Sequence, residues 1–318
     1  VYLAVQSLIE GCRFRPDIIH GHMHEGALIG GLLARLLRVP LVFDFQGSLT
    51  AEMVDHQFLD PNGRLFRWVY RAERFIDQRL PSAILTSSVQ AGRMLQTDFQ
   101  VNPEIIKPLP DCADTERFRP DLLAPGASKN LRLALGIPED RLIVAYLGLL
   151  TDYQGIPQLI ETAAKLNQTG DAIHFLVMGY PNVDLYRGLA DSAGVGDRMT
   201  FTGKIEYRDA ATYLGLGDIA VAPKMSTSEG SGKLLNYMAM AQPVVAFDTP
   251  VHREYLAELG IYAPVGNTSA FAAAIRQLMN NPGQRASLGQ QLRQRAADQY
   301  SWREAGQEIE QIYSQLTS

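Results

Sequence analysis

The stretch VAPKMSTSEGSGKLLNYMAMAQPVVAFDTP, residues 221–250, decides the fold of this 318-residue chain. A short apolar run ends at Lys224, a polar Gly-rich loop follows, and a helical pattern begins near Gly232 and Lys233. A second apolar run, 243–248, comes after it. A buried strand, a polar turn, a helix and another buried strand form the repeating unit of a parallel α/β sheet. The stretch therefore predicts a strand–loop–helix–strand unit.

The same alternation extends along the chain in both directions. Ten strands are predicted, at 17–22, 40–46, 82–88, 104–110, 142–148, 174–180, 199–203, 219–224, 243–248 and 260–265. Helices are predicted near 25–38, 61–79, 89–97, 270–280 and 282–299, and the last segment reads as a further amphipathic helix. The Pro-rich stretch 117–140 reads as a linker that leads into a short helix.

This pattern predicts an α/β protein with two Rossmann-like, doubly wound domains that face a cleft. We place the first domain at 1–118, the second at 119–298, and a helix at 299–318 that returns to the first. The chain starts with Val1 rather than Met, and one amphipathic helix without signal-peptide features precedes the first strand. We therefore expect a chain that begins inside a longer protein, with an incomplete first domain whose sheet edge is exposed or completed by another chain. A homo-oligomer is thus an open alternative.

Composition excludes several classes of function. The net charge of -5 gives no global field for polyanions, so we expect no nucleic-acid partner. Cys12 and Cys112 lack the spacing of a disulfide framework or a zinc site. No apolar run reaches the roughly 18 residues of a membrane span. Motifs typical of P-loop ATPases, dinucleotide-dependent dehydrogenases, serine hydrolases and zinc proteases are also absent from the sequence.

The loop before the helix at Lys233 has the features of a phosphate cradle. Its Gly230, Ser231 and Gly232 offer backbone N–H groups at a helix N-terminus, where the helix dipole is positive. Lys224 and Lys233 add positive charge to the same turn. A flexible loop with surface lysines is the alternative interpretation. We further predict that the amide of Asn236, one turn into the helix, hydrogen-bonds a ribose or sugar hydroxyl.

Six segments in order resemble one known family. The run EGSGKLLNYMAMAQPVVA (229–246) is similar to the signature E-x-F-G-x-x-x-L-E-A-M-A-x-G-x-P-V-V-A of family 4 retaining GT-B glycosyltransferases. Further matches to strand-end motifs of that family are PDIIHGHMHEG (16–26), PLVFDFQGS (40–48), SAILTSS (82–88), KPLPDCADTERFRP (107–120) and LIVAYLGLLTDYQGI (142–156). Together they cover nearly all of residues 17–265, so the chain resembles this family along most of its length.

The resemblance implies transfer of a hexose from a nucleotide diphosphate sugar to a hydroxyl acceptor, with retained anomeric configuration. It implies no metal and no other cofactor, because basic residues and helix dipoles neutralise the leaving diphosphate. The residues that it assigns to donor binding, with the cradle above, are Gly148, Gln154, Lys204, Ile205, Lys224, Gly230, Ser231, Gly232, Lys233 and Asn236. Those that it assigns to catalysis near the transferred sugar are Gln46, His22 and Glu229.

Four positions depart from the family's pattern. The arginine and lysine that contact the diphosphate fall on Leu149 and Gln154, the first-domain histidine falls on Gln46, and the second motif glutamate falls on Asn236. We hypothesise that Lys224 and Lys233 supply the missing positive charge. The competing hypothesis is a non-catalytic module that binds a nucleotide sugar or a glycan.

Other residues admit two interpretations each. His20, His22 and His24 could hold a zinc ion, His22 or His24 could line the cleft, or all three could be ordinary hydrogen-bonded residues. Arg253 could enter the donor pocket or form a surface salt bridge. The acceptor could be a sugar, a lipid-linked molecule or another small molecule. We expect a cytoplasmic protein, with peripheral contact to the inner membrane face left open by four arginines on one predicted helix, Arg64, Arg67, Arg71 and Arg74.

Overall fold

The computed structural model describes residues 2–55, 58–122, 126–225 and 230–318. The chain forms two compact units. Unit 1 contains the residues up to Asp111, together with Gly230 and Arg303–Ser318, and unit 2 contains the other described residues from Cys112 to Trp302. Each unit is built around a parallel sheet.

Unit 1 has a four-stranded parallel sheet in the order β1-β2-β3-β4. Its strands are β1 (Ile19–His22), β2 (Leu41–Phe45), β3 (Ala83–Thr86) and β4 (Ile106–Pro108). Its first helices are α1 (Tyr2–Phe14), α2 (Met23–Leu37), α3 (Leu49–Asp55), α4 (Arg64–Arg79) and α5 (Val89–Thr97). Helices α2, α4 and α5 cover one face of the sheet, where Ala27, Ile76 and Leu95 pack against Phe43 and Ile84.

A buried polar cluster joins α2 to α4. His24 Nε2 lies 3.4 Å from Asp77 Oδ1 and 3.6 Å from Glu73 Oε1, and all three side chains are buried. Glu73 Oε2 accepts hydrogen bonds from the backbone N (3.0 Å) and Oγ1 (2.5 Å) of Thr50. Burial raises the pKa of Asp77 to about 6, which His24 partly opposes. Burial alone would lower the pKa of His24, but the acids around it, Asp77 first, outweigh that effect and raise it.

Unit 2 has a six-stranded parallel sheet in the order β10-β9-β8-β5-β6-β7. Its strands are β5 (Leu142–Leu147), β6 (Ile173–Met178), β7 (Met199–Gly203), β8 (Ile219–Ala222), β9 (Val244–Phe247) and β10 (Ile261–Ala263). Its helices are α6 (Ala127–Ala134), α7 (Ile156–Gln168), α8 (Val183–Ser192), α9 (Tyr207–Leu214), α10 (Lys233–Ala239), α11 (Pro250–Leu256), α12 (Thr268–Met279) and α13 (Pro282–Gln299). Short 3-10 turns lie at Pro103–Ile105, Pro120–Leu122, Gly196–Arg198 and Ala257–Leu259.

The strands of unit 2 are largely apolar because both faces of the sheet are covered. All side chains of β6, β8 and β9 are buried. Local sequence fixes where several helices begin. Thr249 caps α11 by accepting from His252 N, and Pro250 occupies the first turn, where its missing N–H costs nothing.

The last helix, α14 (Trp302–Thr317), packs on the second face of the unit 1 sheet. Ile312 contacts Val42 and Leu85, and the Tyr313 hydroxyl lies 2.5 Å from His20 Nδ1. Unit 1 ends at Asp111 rather than at the expected residue 118. The physical reason is that Ala113 and Phe118 are buried in the core of unit 2.

All ten strands form where the apolar runs predicted them, although most are one to four residues shorter. The predicted linker contains the short helix α6. Cys12 and Cys112 form no disulfide bond. Within the described ranges, no helix combines the length and the apolar character that crossing a membrane requires.

The buried cluster predicts an unusual pH dependence. The folded chain holds protons on Asp77 and His24 more tightly than the unfolded chain does, so the cluster's contribution to stability falls as pH rises through about 6. We expect the unfolding temperature of the wild type, relative to that of Asp77→Asn, to decrease steadily from pH 5 to pH 8, as followed by circular dichroism. Asp17→Asn, at an exposed site of the same unit, should show no such trend. A pH-independent difference for Asp77→Asn would contradict this assignment.

Candidate nucleotide-sugar site

The order of strands in unit 2 opens a crevice at one edge of its sheet. The chain runs from β5 outward to β6 and β7, and then returns so that β8 pairs with the other side of β5. The connections after β5 and β8 therefore leave the sheet in opposite directions. In open α/β sheets this reversal point, at the carboxyl ends of the strands, is where ligands bind. Gly148 and Gln154 follow β5, and Lys224 follows β8.

Lys233, the first residue of α10, reaches across this crevice. Its Nζ donates to Gln154 Oε1 at 2.6 Å and to the Tyr146 hydroxyl at 3.1 Å. The ammonium also lies 4.5 Å from the centroid of the Tyr146 ring. The lysine of α10 thus brings its charge to the position that follows β5, directly beside Gln154.

Tyr146 and Tyr237 hold this arrangement together. Tyr146 donates its hydroxyl to Leu149 O at 2.7 Å, which leaves the oxygen as an acceptor for Lys233. Burial raises the pKa of Tyr146 well above its usual range, so the ring stays neutral beside the ammonium. One turn along α10, the Tyr237 hydroxyl accepts from Leu147 N at 2.7 Å. Two side chains of α10 therefore fix it to the end of β5.

Two positions at the crevice have a positive φ that favours glycine. Gly155 has a φ of 81°, and a Cβ there would lie 2.0 Å from Pro223 O. Gly148 has a φ of 153°, and a Cβ there would lie 2.7 Å from Lys233 Nζ. A side chain at Gly155 would push apart the turns that meet here, whereas one at Gly148 would displace the Lys233 ammonium. Gly148 thus leaves room for the lysine ammonium.

A second lysine and a histidine complete a positively charged environment. Lys224 is only 2% exposed, although it follows a strand end. His252 is buried, and its Nδ1 donates to Phe247 O at 2.7 Å. Burial first, and then the nearby charges of Lys233 and Lys224, lower the pKa of His252 to about 4 against the effect of that hydrogen bond. The crevice therefore disfavours additional positive charge and suits an anion.

Two polar groups at the start of α10 have no hydrogen-bond partner among the described residues. One is the Oγ of Ser231, which is buried. The other is the half-buried amide of Asn236. A buried hydroxyl without a partner costs free energy that a ligand could recover. Gly230 and Gly232 flank Ser231, whereas Glu229, predicted to be catalytic, lies outside the described residues.

Three other predicted residues lie apart from Lys233. Lys204 and Ile205 follow β7, the edge strand, and Lys204 is exposed beside Tyr180 and Glu206. Arg253 makes a bidentate salt bridge with Asp248, at 2.7 and 2.9 Å, and stacks on Tyr262. Of the two interpretations of Arg253, the structure favours the surface salt bridge.

In unit 1, two predicted residues meet on an acid that the sequence analysis did not identify. His22 Nδ1 lies 2.6 Å from Asp44 Oδ2, and Gln46 Nε2 donates to Asp44 Oδ1 at 2.6 Å. His22 and Asp44 are register partners at the ends of β1 and β2. The carboxylate therefore orients the imidazole so that its Nε2 is a free acceptor, and the His22 side chain is 65% exposed.

The three neighbouring histidines do not form one metal site. His20 contacts Tyr313, His22 contacts Asp44, and His24 is buried with Glu73 and Asp77. His24, Glu73 and Asp77 are the one group in the described part of the chain whose ligand atoms all lie within 4.8 Å, as a metal ion would require. The sequence did not predict this group. That catalysis needs no metal remains a prediction.

Comparisons with known proteins show the family of this chain. The sequence model of the family Glycosyl transferases group 1 matches residues 128–295, and that of the Glycosyl transferase 4-like domain matches residues 2–111. Alpha-D-kanosaminyltransferase of Streptomyces kanamyceticus is 27% identical, over 96% of this chain and 79% of the relative. D-inositol 3-phosphate glycosyltransferase of Corynebacterium aurimucosum is 26% identical, over 95% and 72%. Putative glycosyltransferase EpsD of Bacillus subtilis is 33% identical, over 63% and 52%.

Solved structures share the fold. Anabaena Alr3699/HepE in complex with UDP superposes with a TM-score of 0.84 at 16% identity, over 99% of this chain and 83% of that one. Sucrose-phosphate synthase of Thermosynechococcus elongatus gives 0.80 at 20% identity, over 99% and 77%. The predicted GT-B class, with two Rossmann-like domains, is confirmed. With a family model that matches more than half of its residues, the chain belongs to the group 1 glycosyltransferases.

Proposed function

We propose that this protein transfers a hexose from a nucleotide diphosphate sugar to a hydroxyl acceptor, with retention of configuration. The observation that carries the proposal is the position of Lys233, whose Nζ lies 2.6 Å from Gln154 Oε1 at the strand reversal of unit 2. A cation on α10 thereby occupies the place where the family's pattern has a lysine after β5. The position next to the N-terminus of α10 suits a diphosphate.

The proposed reaction depends more on stabilising the charge of the leaving diphosphate than on a general base. The bond from the anomeric carbon to the diphosphate oxygen breaks, and a bond to the acceptor oxygen forms on the same face. The acceptor's proton passes to the leaving phosphate oxygen. Lys233, Lys224 and the N–H groups that begin α10 would bind the departing diphosphate more strongly as its charge increases, which lowers the barrier. No metal or other cofactor has a step in this proposal.

The acceptor side of the reaction belongs, in this proposal, to unit 1. The Asp44 carboxylate fixes both His22 and Gln46 at the ends of β1 and β2. An oriented imidazole with a free Nε2 and a fixed amide can hydrogen-bond sugar hydroxyls. We therefore assign His22 and Gln46 to the transferred sugar or the acceptor, with Asp44 as their positioning residue.

The donor is best sought first among uridine nucleotides. HepE, which has the same fold, was solved with UDP and with UDP-glucose. The acceptor class stays open between a sugar, a lipid-linked molecule and another small molecule, and so does a homo-oligomer. Cys12 and Cys112 form no disulfide bond, as is usual in a reducing compartment, and we propose a cytoplasmic location.

A turnover screen tests the function directly. UDP-glucose, GDP-mannose and ADP-glucose would be offered with mixed sugar acceptors, and released nucleotide measured. We expect turnover with one donor and a product whose anomeric proton coupling shows retention. Binding of the nucleotide without turnover would instead support the non-catalytic module, which the absence of the family's two cations at Leu149 and Gln154 favours.

Exchanging the side chains at positions 233 and 154 tests the role of the Lys233 charge. Charge-assisted hydrogen bonds contribute about 1.5–3 kcal/mol, so Lys233→Gln should weaken nucleotide binding by about 10- to 150-fold in calorimetry. Adding Gln154→Lys exchanges the two side chains across the same contact, and we expect it to recover most of the affinity. Lys165→Gln, on α7 beside Glu161, is the matched control and should change nothing. If the single and the double variant lose the same nucleotide affinity, the hypothesis that Lys233 supplies the charge missing at Gln154 is refuted.

The pKa of His252 should report the diphosphate. Its value of about 4 reflects burial and the charges of Lys233 and Lys224, so a bound diphosphate that neutralises them should raise it. Histidine ring signals followed by NMR against pH, with and without UDP, measure this change. His174 is an internal control, because burial and Arg141 lower its pKa to about 4 elsewhere in unit 2. The same shift in both histidines, or in neither, would contradict the placement.

Substitution of Asp44 should lower the turnover rate without weakening donor binding. Asp44→Ala frees both His22 and Gln46, and misplacement of groups at a reacting centre costs up to about 100-fold in rate. We expect kcat to fall toward that extent while the UDP dissociation constant stays unchanged, because Lys224, Lys233 and Gln154 lie in unit 2. The exposed Asp17→Asn serves as the control in unit 1. Unchanged kcat, or weakened UDP binding, would count against this assignment.

A further inference from the structure

Helix α4 separates its charges between two faces. Its only acids, Glu73 and Asp77, are fully buried with Ile76 against the sheet side of unit 1. The exposed surface of the helix therefore carries no negative side chain. It carries instead four exposed arginines, which are Arg64, Arg67, Arg71 and Arg79. A protein with a net charge of -5 thus presents one strongly basic helix face.

Large apolar side chains share that face with the arginines. Leu65, Trp68 and Phe75 are 62%, 68% and 48% exposed. Residues 64, 68, 71, 75 and 79 recur every three or four positions and so form one stripe. The guanidinium carbon of Arg71 lies 5.8 Å from the Trp68 ring centroid, which brings the two kinds of side chain together. We call this stripe, with Leu65 and Arg67, the α4 outer face.

The α4 outer face is held in place by the rest of unit 1. The Tyr70 hydroxyl donates to Asp98 O at 2.6 Å, and Gln78 Nε2 donates to Phe99 O at 2.6 Å. At the end of the helix, Arg35 of α2 donates to Arg79 O at 2.8 Å. The helix is thus fixed along its length, and its exposed side chains are presented without further folding.

The chemistry of this face matches the surface of an anionic bilayer. Arginines bind lipid phosphates, whereas tryptophan, phenylalanine and leucine enter the boundary between headgroups and acyl chains. A nucleic acid would match the arginines but not three exposed apolar side chains on the same stripe. We propose that the α4 outer face docks the protein on membranes that contain anionic phospholipid, with Trp68 and Phe75 inserted at the interface.

This proposal is independent of the glycosyl transfer proposed above. It deepens the open question of peripheral membrane contact by naming the surface and the lipid class. Membrane binding can be measured without donor or acceptor, and either proposal can fail while the other stands.

The fluorescence of Trp68 tests the docking. The chain has two tryptophans, so Trp302→Phe leaves Trp68 as the single fluorophore. With vesicles of phosphatidylcholine and phosphatidylglycerol we expect a blue shift of its emission and co-sedimentation. Both should be absent with phosphatidylcholine alone and in 1 M salt, where the screening length falls to about 3 Å. No shift, or an equal shift with neutral vesicles, would overturn the proposal.

Removing arginine charges from the α4 outer face tests whether this face binds the membrane. Each arginine near an anionic membrane contributes about fivefold, so Arg67→Gln with Arg71→Gln should weaken partitioning by about 30-fold. Arg187→Gln, an exposed arginine of α8, is the matched control and should bind as the wild type does. Wild-type partitioning of the Arg67 and Arg71 double variant would refute the α4 assignment. Binding of RNA that competes fully with the vesicles would assign the face to nucleic acid instead.

Discussion

The candidate nucleotide-sugar site depends on one pairing in the unit 2 sheet, that of β8 with β5. Because β8 pairs with β5 after the chain has already built β6 and β7, the turns that follow β5 and β8 diverge, and no covalent connection fills the space between them. Two contacts from α10 reach the end of β5, one from Lys233 to Tyr146 and Gln154 and one from Tyr237 to Leu147. Glycine is needed at 155 because the backbone of Pro223 approaches so closely, and at 148 because a Cβ would meet the Lys233 ammonium.

The position of the cation matters more than the residue that supplies it. The family's pattern has a lysine where this chain has Gln154, and the chain has a lysine on α10 whose ammonium contacts that glutamine. A diphosphate responds to the charge and its distance, so a lysine donated from the neighbouring turn can serve the same purpose. A neutral Tyr146 beneath the Lys233 ammonium fits this role, because an ionised phenol would cancel the charge of the lysine. In the proposed reaction, stabilisation of the diphosphate therefore depends on a positive charge at this place and not on which residue carries it.

Much of the fold could be predicted from the sequence, because a buried parallel strand needs an apolar run and each run here ends at Gly, Pro or a polar residue. The candidate site could be predicted only in part. Lys233 and Gln154 were each identified, yet their contact joins residues 79 positions apart, and no local pattern encodes it. Asp44 was missed because it stands inside the apolar run LVFDF, where alternation suggested packing. Glu73 and Asp77 were missed because acids four positions apart on an arginine-rich helix usually face solvent.

The burial of these two acids is informative about the whole of unit 1. Glu73 and Asp77 lie on the inner side of α4, where His24 and the Thr50 backbone and hydroxyl satisfy part of their charge. Their burial costs free energy, and it makes the fold hold protons on Asp77. It also leaves the outer face of the helix without a negative side chain, so the arginines there are not neutralised by neighbours along it. An internal cluster that joins α2 to α4 thus determines the charge that α4 presents to the outside, and a change at Asp77 would affect both the stability of unit 1 and the orientation of the helix that carries Trp68.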